Sequence, residues 1–244
     1  MDYAWIVGVT GGLITLGLAL LSQPHWILRI IQAIGPEVVY FVETTQPRVA
    51  LTLDDGPDPQ TTPRILEVLR ENQARATFFL ISDQVLGCED LVQTMVKEGH
   101  ELGNHMTADQ PSIRLSPEAF AEDLLTAHGV IAKFAGVRWM RPASGWYSSA
   151  MVAIAKTHGY RMALGSVFPY DTHIASAWFA RHHIEVNIRP GAIIVLHDGQ
   201  DRGQRTAEVL QRLLPRLKAR GYNLVTLSEL VDLGPSLIPL TPKH

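Results

Sequence analysis

Val49-Ala50-Leu51-Thr52-Leu53-Asp54-Asp55-Gly56-Pro57 is the stretch on which the reading of this chain turns. Its apolar run, residues 49–53, has the pattern of a buried strand. The run ends in two adjacent carboxylates, and Gly56-Pro57 then imposes a turn. Neighbours on a strand point to opposite faces. At a strand end followed by a turn, both side chains can be steered into one cleft. Two carboxylates this close do not both ionise freely unless something positive shares the site, and a metal ion is one such group. An ordinary acidic turn is the alternative reading of the same residues.

Outward from this stretch, strand and helix patterns alternate, which argues for an α/β fold. Strands are expected over residues 38–42, 76–81, 100–104, 137–140, 160–167, 192–196 and 224–227. Helices are expected over 62–72, opened by Thr62-Pro63, and over 89–98, 116–134, 150–158, 174–184 and 204–220, the last kinked at Pro215. A terminal helix is expected to be capped by Ser228. Candidate functional residues fall where strands end: His105 after the third of these strands, Arg141 after the fourth, His197 after the sixth. In barrel-type α/β folds that end of the strands carries the active site.

The chain has 244 residues, enough for one sizeable α/β domain and an appendage. A net charge of −3 gives no sign of a nucleic-acid surface. The single cysteine, Cys88, forms no intrachain disulfide and leaves the redox compartment undecided. Residues 4–21 are almost wholly apolar and approach the roughly 20 residues that span a bilayer. Trp5 and Trp26 bracket them, no Lys or Arg precedes them, and no small-x-small cleavage site follows. The expectation is a single-pass membrane protein. It has a transmembrane anchor over 1–25, a juxtamembrane segment over 26–45 with a surface helix at 26–34, a catalytic domain over 46–235 and a tail over 236–244. Arg29 beyond the span points the domain inward by the positive-inside rule.

Four short motifs carry a family resemblance. Thr52-Leu53-Asp54-Asp55-Gly56-Pro57 resembles the T-F-D-D-G-P motif of the polysaccharide deacetylases, the NodB-homology domain. Gly103-Asn104-His105, Met140-Arg141-Pro142 and Val195-Leu196-His197-Asp198-Gly199 resemble later motifs, in the family's order, and the likeness spans about residues 46–232. The resemblance implies a distorted (β/α) barrel of about seven strands. It also implies a metal-dependent hydrolase that removes N-acetyl groups from a chitooligosaccharide- or peptidoglycan-type glycan. Such substrates lie outside the cell, so an external domain is expected despite Arg29.

Residue by residue, the resemblance makes Asp54 the general base and Asp55 a metal ligand. His105 is the first histidine ligand. The second histidine of the family falls at Asp109. Asp109 either completes an Asp-His-Asp set or is a loop residue of a site that has lost its metal. Imidazole suits zinc, cobalt or nickel, and the extra carboxylate shifts preference towards manganese. Arg141-Pro142-Ala143-Ser144-Gly145 matches R-P-P-Y-G. Arg141 would orient Asp54, and the Ser144 backbone N–H would hold the oxyanion. In Phe168-Pro169-Tyr170-Asp171-Thr172, Asp171 matches the partner of His197. His197 would be the general acid, and Leu196 would line the pocket for the acetyl methyl. Another amide hydrolase on the same scaffold, or an inert glycan-binding protein, remains open beside this reading.

Overall fold

A computed structural model describes residues 23–232. The first helix, α1 (His25–Ile34), follows Pro24 and is exposed along Trp26, Ile30 and Ile34. Gln32 on it accepts the backbone N–H groups of Tyr40 and Phe41, which fastens the helix to the domain. The strand β1 (Val38–Val39) follows, then β2 (Arg48–Gly56) and α2 (Thr62–Glu71). Next come β3 (Thr77–Leu80), α3 (Glu89–Lys97) and β4 (Glu101–Asn104). They lead into α4 (Pro117–Ile131), β5 (Trp139–Met140), α5 (Ser149–Thr157) and β6 (Arg161–Ala163). The chain continues through α6 (Ala177–Asn187), β7 (Ile193–His197) and α7 (Gln200–Ala219). It closes the described region with β8 (Asn223–Val225) and α8 (Leu227–Val231).

The result is an α/β fold around one sheet of eight strands, in the order β1-β6-β5-β4-β3-β2-β7, with β8 on β2. Every strand pairing is parallel, as alternation of strand and helix requires. Beyond β6, Val167 bridges Ile194 of β7, and Phe41 bridges Ala192. The sheet therefore curls until its two ends meet, an arrangement consistent with the expected barrel. The eighth strand arises because β8 takes the lower half of one β2 edge, at 48–50, while β3 takes the upper half.

Alternation along β2 sorts its residues between two layers. Val49, Leu51 and Leu53 are fully buried in a cluster with Ile65 and Leu69 of α2 and Leu210 and Leu213 of α7. Each such side chain contributes about 1.5–3 kcal/mol by leaving water. Ala50 belongs to a second cluster with Phe79, Trp139, Ala163 and Ile193, inside the curled sheet.

Several expectations are corrected. The segment 26–45 is not a separate juxtamembrane piece, because β1 within it pairs with β6. The apolar run 4–21 and the tail 236–244 lie outside the described residues. Among the described residues no helix is long and apolar enough to cross a membrane, and the single-pass localisation is corrected on that finding. Helix α7 begins at Gln200 rather than 204 and carries Pro215 inside it. Thr226, not Ser228, caps α8: its side chain accepts Glu229 N–H while Glu229 reaches back to the Thr226 backbone, a capping box.

Candidate active site

Both carboxylates of β2 do reach one crevice, but a bulge places them there, not a turn after the strand. Strand pairing with β3 shifts register between Asp54 and Gly56, and Asp55 has a φ of 69°. An extra residue in the left-handed region re-aims its side chain. Asp54, on the inner face with Thr52, and Asp55 are both buried, at 3% and 5% exposure.

Asp54 meets Arg141, which leaves the end of β5. Arg141 Nη1 donates to Asp54 Oδ1 at 2.6 Å and to Thr52 Oγ1 at 2.8 Å, and its Nε donates to the Ala163 carbonyl at 2.9 Å. The guanidinium lies 4.2 Å over the Phe79 ring. Three hydrogen bonds and an aromatic floor fix this guanidinium against the Asp54 carboxylate.

His105 follows β4. Its Nδ1–H donates to the Arg141 carbonyl at 2.7 Å, so Nε2 faces Asp55 Oδ1 at 3.3 Å. Burial opposes charge on this imidazole, but Asp54 and Asp55 outweigh burial and raise its pKa above 6.5. For Asp55, burial pushes the carboxyl up. The hydrogen bond from His105 and the charges of His105, His197 and Arg202 more than reverse this, and the pKa falls below its ordinary value.

His197 ends β7, in register with Asp54 on the neighbouring strand. Its Nδ1 lies 3.0 and 3.1 Å from the two Asp171 oxygens, and its backbone N–H donates to Asp171 Oδ2 at 3.1 Å. Burial alone would depress this imidazole. The Asp171 hydrogen bond and charge, with Asp54 and Asp55 beyond, raise it instead. The next residue, Asp198, is fully buried and accepts from the hydroxyls of Thr61 and Thr62 and from Gly199 N–H. Burial raises its pKa. This network takes the Thr62 hydroxyl, expected as a helix cap, and ties the loop after β7 to α2.

The remaining expected residues do not join the crevice in the same way. Ser144 is exposed in a short 3₁₀ turn with φ 69° and ψ 0°. Leu196 is wholly buried with Ile194, Leu53 and the leucines of α7, on the strand face opposite His197. It fills the layer under the helices rather than lining a pocket. Asp109 is half exposed, and Arg202 Nη2 lies 3.6 Å from its Oδ2. The same guanidinium places Nη1 3.0 Å from Asp55 Oδ2, an ion pair.

The metal set implied by the resemblance is therefore not assembled. Among the described residues no group of three His, Cys, Asp or Glu is placed to hold a metal ion. Asp55 and His105 supply two donors, and an arginine takes the side where the third would stand. Nothing in the sequence marks Arg202, because the helical pattern is legible only from residue 204, whereas the helix starts at Gln200. Thr52 and Phe79 were missed because nothing local marks a strand threonine or phenylalanine as a support for an arginine so distant in the chain.

A family model described as polysaccharide deacetylase matches residues 41–163. A peptidoglycan-N-acetylglucosamine deacetylase of Bacillus cereus is 36% identical over 197 residues, spanning 80% of this chain and 92% of that protein. A chitooligosaccharide deacetylase of Bradyrhizobium sp. is 33% identical over 196 residues, spanning 75% and 90%. Among solved structures, a CE4 family pseudoenzyme from Bacillus anthracis superposes with a TM-score of 0.74 at 26% identity, covering 82% of this chain and 70% of that one.

Proposed function

This chain belongs to the polysaccharide deacetylase family, and on that premise we propose that it removes N-acetyl groups from an amino-sugar glycan of chitooligosaccharide or peptidoglycan type. The observation that carries the proposal is the pair of oriented dyads, Asp54–Arg141 and His197–Asp171, whose Asp54 and His197 stand in register on neighbouring strands.

The acid–base work follows from these contacts. Asp54, oriented by Arg141, takes a proton from water as the water oxygen bonds to the amide carbon. The Ser144 backbone N–H, in an exposed left-handed turn after Arg141, is the donor that the family resemblance implies for the developing oxyanion. His197, whose Nδ1 is held by Asp171, carries a proton on Nε2 and delivers it to the leaving nitrogen. The C–N bond breaks, leaving acetate and a free amine. Asp54 then returns its proton to solvent, and His197 takes one back.

Acetate release by the full chain from N-acetylated chitooligosaccharides and from peptidoglycan tests this reading. Asp54→Asn and His197→Ala should each lower the rate by about 10²–10⁴. Equal rates in the parent and both variants would remove the dyads from the chemistry. The arginine on Asp55 favours a second reading, a glycan-binding protein without turnover. Saturable glycan binding with no acetate release by the parent would establish that reading in place of the first.

A further inference from the structure

Arg202 lies between Asp55 and Asp109 and pairs with both. Its Nη1 sits 3.0 Å from Asp55 Oδ2, and its Nη2 sits 3.6 Å from Asp109 Oδ2. The side chain is 30% exposed, against 6% for Asp55 and 52% for Asp109, so it spans the crevice from its buried wall to its rim.

The placement comes from a built entry to α7, not from a free loop. Gly199, with φ 85°, and Gln200, with φ 50°, turn the chain sharply after β7. Gly199 N–H donates to Asp198 Oδ1 at 2.6 Å, and Gln200 N–H donates to Asp58 Oδ2 at 3.2 Å. The first turn of α7, which bears Arg202, is thereby pinned over the crevice.

The geometry points to Arg202 as a built-in counter-cation of the Asp55–His105–Asp109 crevice, one that a divalent ion must displace in order to bind. A guanidinium carries a permanent charge and five donors with no acceptor. It satisfies Asp55 as an ion would, yet it offers no open coordination position. A divalent ion on Asp55 would stand beside it as a like charge, and the two repel at that range. The inference also accounts for Asp109. A neutral imidazole there would be a metal donor but a poor partner for arginine, whereas a carboxylate gives the second guanidinium nitrogen an anion to pair with. Arg202 and Asp109 thus form a matched pair, and Asp109 serves the arginine rather than a metal.

Metal binding, not turnover, is the readout, so the outcome stands apart from whether the chain releases acetate. Zinc chloride and manganese chloride are titrated calorimetrically into the full-length parent, Arg202→Met and Asp109→Asn. Arg202→Met should bind zinc at least tenfold more tightly than the parent, and adding His105→Ala should abolish that gain. Asp109→Asn, half exposed and tolerant of change, should keep or tighten the zinc affinity, because it frees one arm of the arginine. In EDTA, Arg202→Met should melt below the parent, and zinc should restore more of its Tm than it adds to the parent's. A parent that binds one zinc as tightly as Arg202→Met would show that Arg202 excludes no ion, and loss of binding in Asp109→Asn would make Asp109 a ligand; either overturns the inference. Should Arg202→Met fail to fold, the Asp109→Asn titration alone decides.

Discussion

Asp171 does for His197 what Arg141 does for Asp54: each is a buried partner that orients a group at the crevice. Because Asp171 holds His197 above its ordinary pKa, the imidazole keeps its proton past pH 6.5. A general acid works only while protonated, so acetate release should fall as pH rises through this raised pKa. The stabilising contribution of the pair follows the same sign: fully present below about pH 6.5 and lost as pH rises through the folded-state pKa. Asp171→Asn should move the basic limb of the kcat/KM profile to lower pH and cut the rate about tenfold at pH 8. An unmoved limb would separate Asp171 from the acid. Arg141→Met leaves Asp54 buried and unpaired, which should cost about 3–5 kcal/mol in urea denaturation at pH 7. A cost under 1 kcal/mol would show that Asp54 finds another partner.

At the scale of elements, β4 illustrates how the crevice is supported from below. A Cβ on Gly103 would lie 2.6 Å from Cδ1 and 2.8 Å from Cε1 of Phe79, closer than real side chains approach. That ring is the floor under the Arg141 guanidinium. Gly103→Ala should therefore destabilise by about 1–3 kcal/mol and lower turnover as well, because the displaced ring pushes on the arginine. Chemical denaturation and acetate release on the same preparation check both parts. Loss of stability with unchanged turnover would show that Phe79 moves away from the site. At the far end of the domain, Thr226→Ala removes the capping box of α8 and should cost about 0.5–2 kcal/mol, with no effect on acetate release.

For the whole molecule, the two ends of the sheet differ in their response to acid. The crevice lies at the C-terminal ends of the strands, whereas His100 precedes β4 at the opposite end. His100 accepts Ala76 N–H through Nδ1 at 3.2 Å and packs edge-on to Phe78. Burial, with Arg75 nearby, lowers its pKa to about 4. Between pH 6.5 and about 4 the unfolded chain binds a proton that the folded chain refuses. Stability should therefore decline by about 3 kcal/mol as pH drops across that window. Denaturation at pH 7, 5.5 and 4.5 measures the slope, and His100→Gln should flatten it. A slope unchanged by the substitution would place the acid sensitivity elsewhere.

Much of this protein is legible in the residue pattern alone. Buried apolar runs such as 49–53 and 193–196, separated by helix-length amphipathic segments, suffice for a parallel α/β sheet, because strand and helix periodicities are local. The motifs also pick out Asp54, Asp55, His105, Arg141 and His197 as strand-end residues that could converge. Local pattern could not place Asp55 on a bulge, bring β8 to the lower edge of β2, or send Leu196 under the helices, since these depend on which strands pair and in what register. Nor could it find Arg202. Whether the third side of the crevice holds a ligand or a guanidinium depends on where α7 begins and how its first turn is pinned. That is decided by hydrogen bonds among Asp58, Thr61, Asp198 and Gly199, groups remote in the chain that meet only once the sheet has closed.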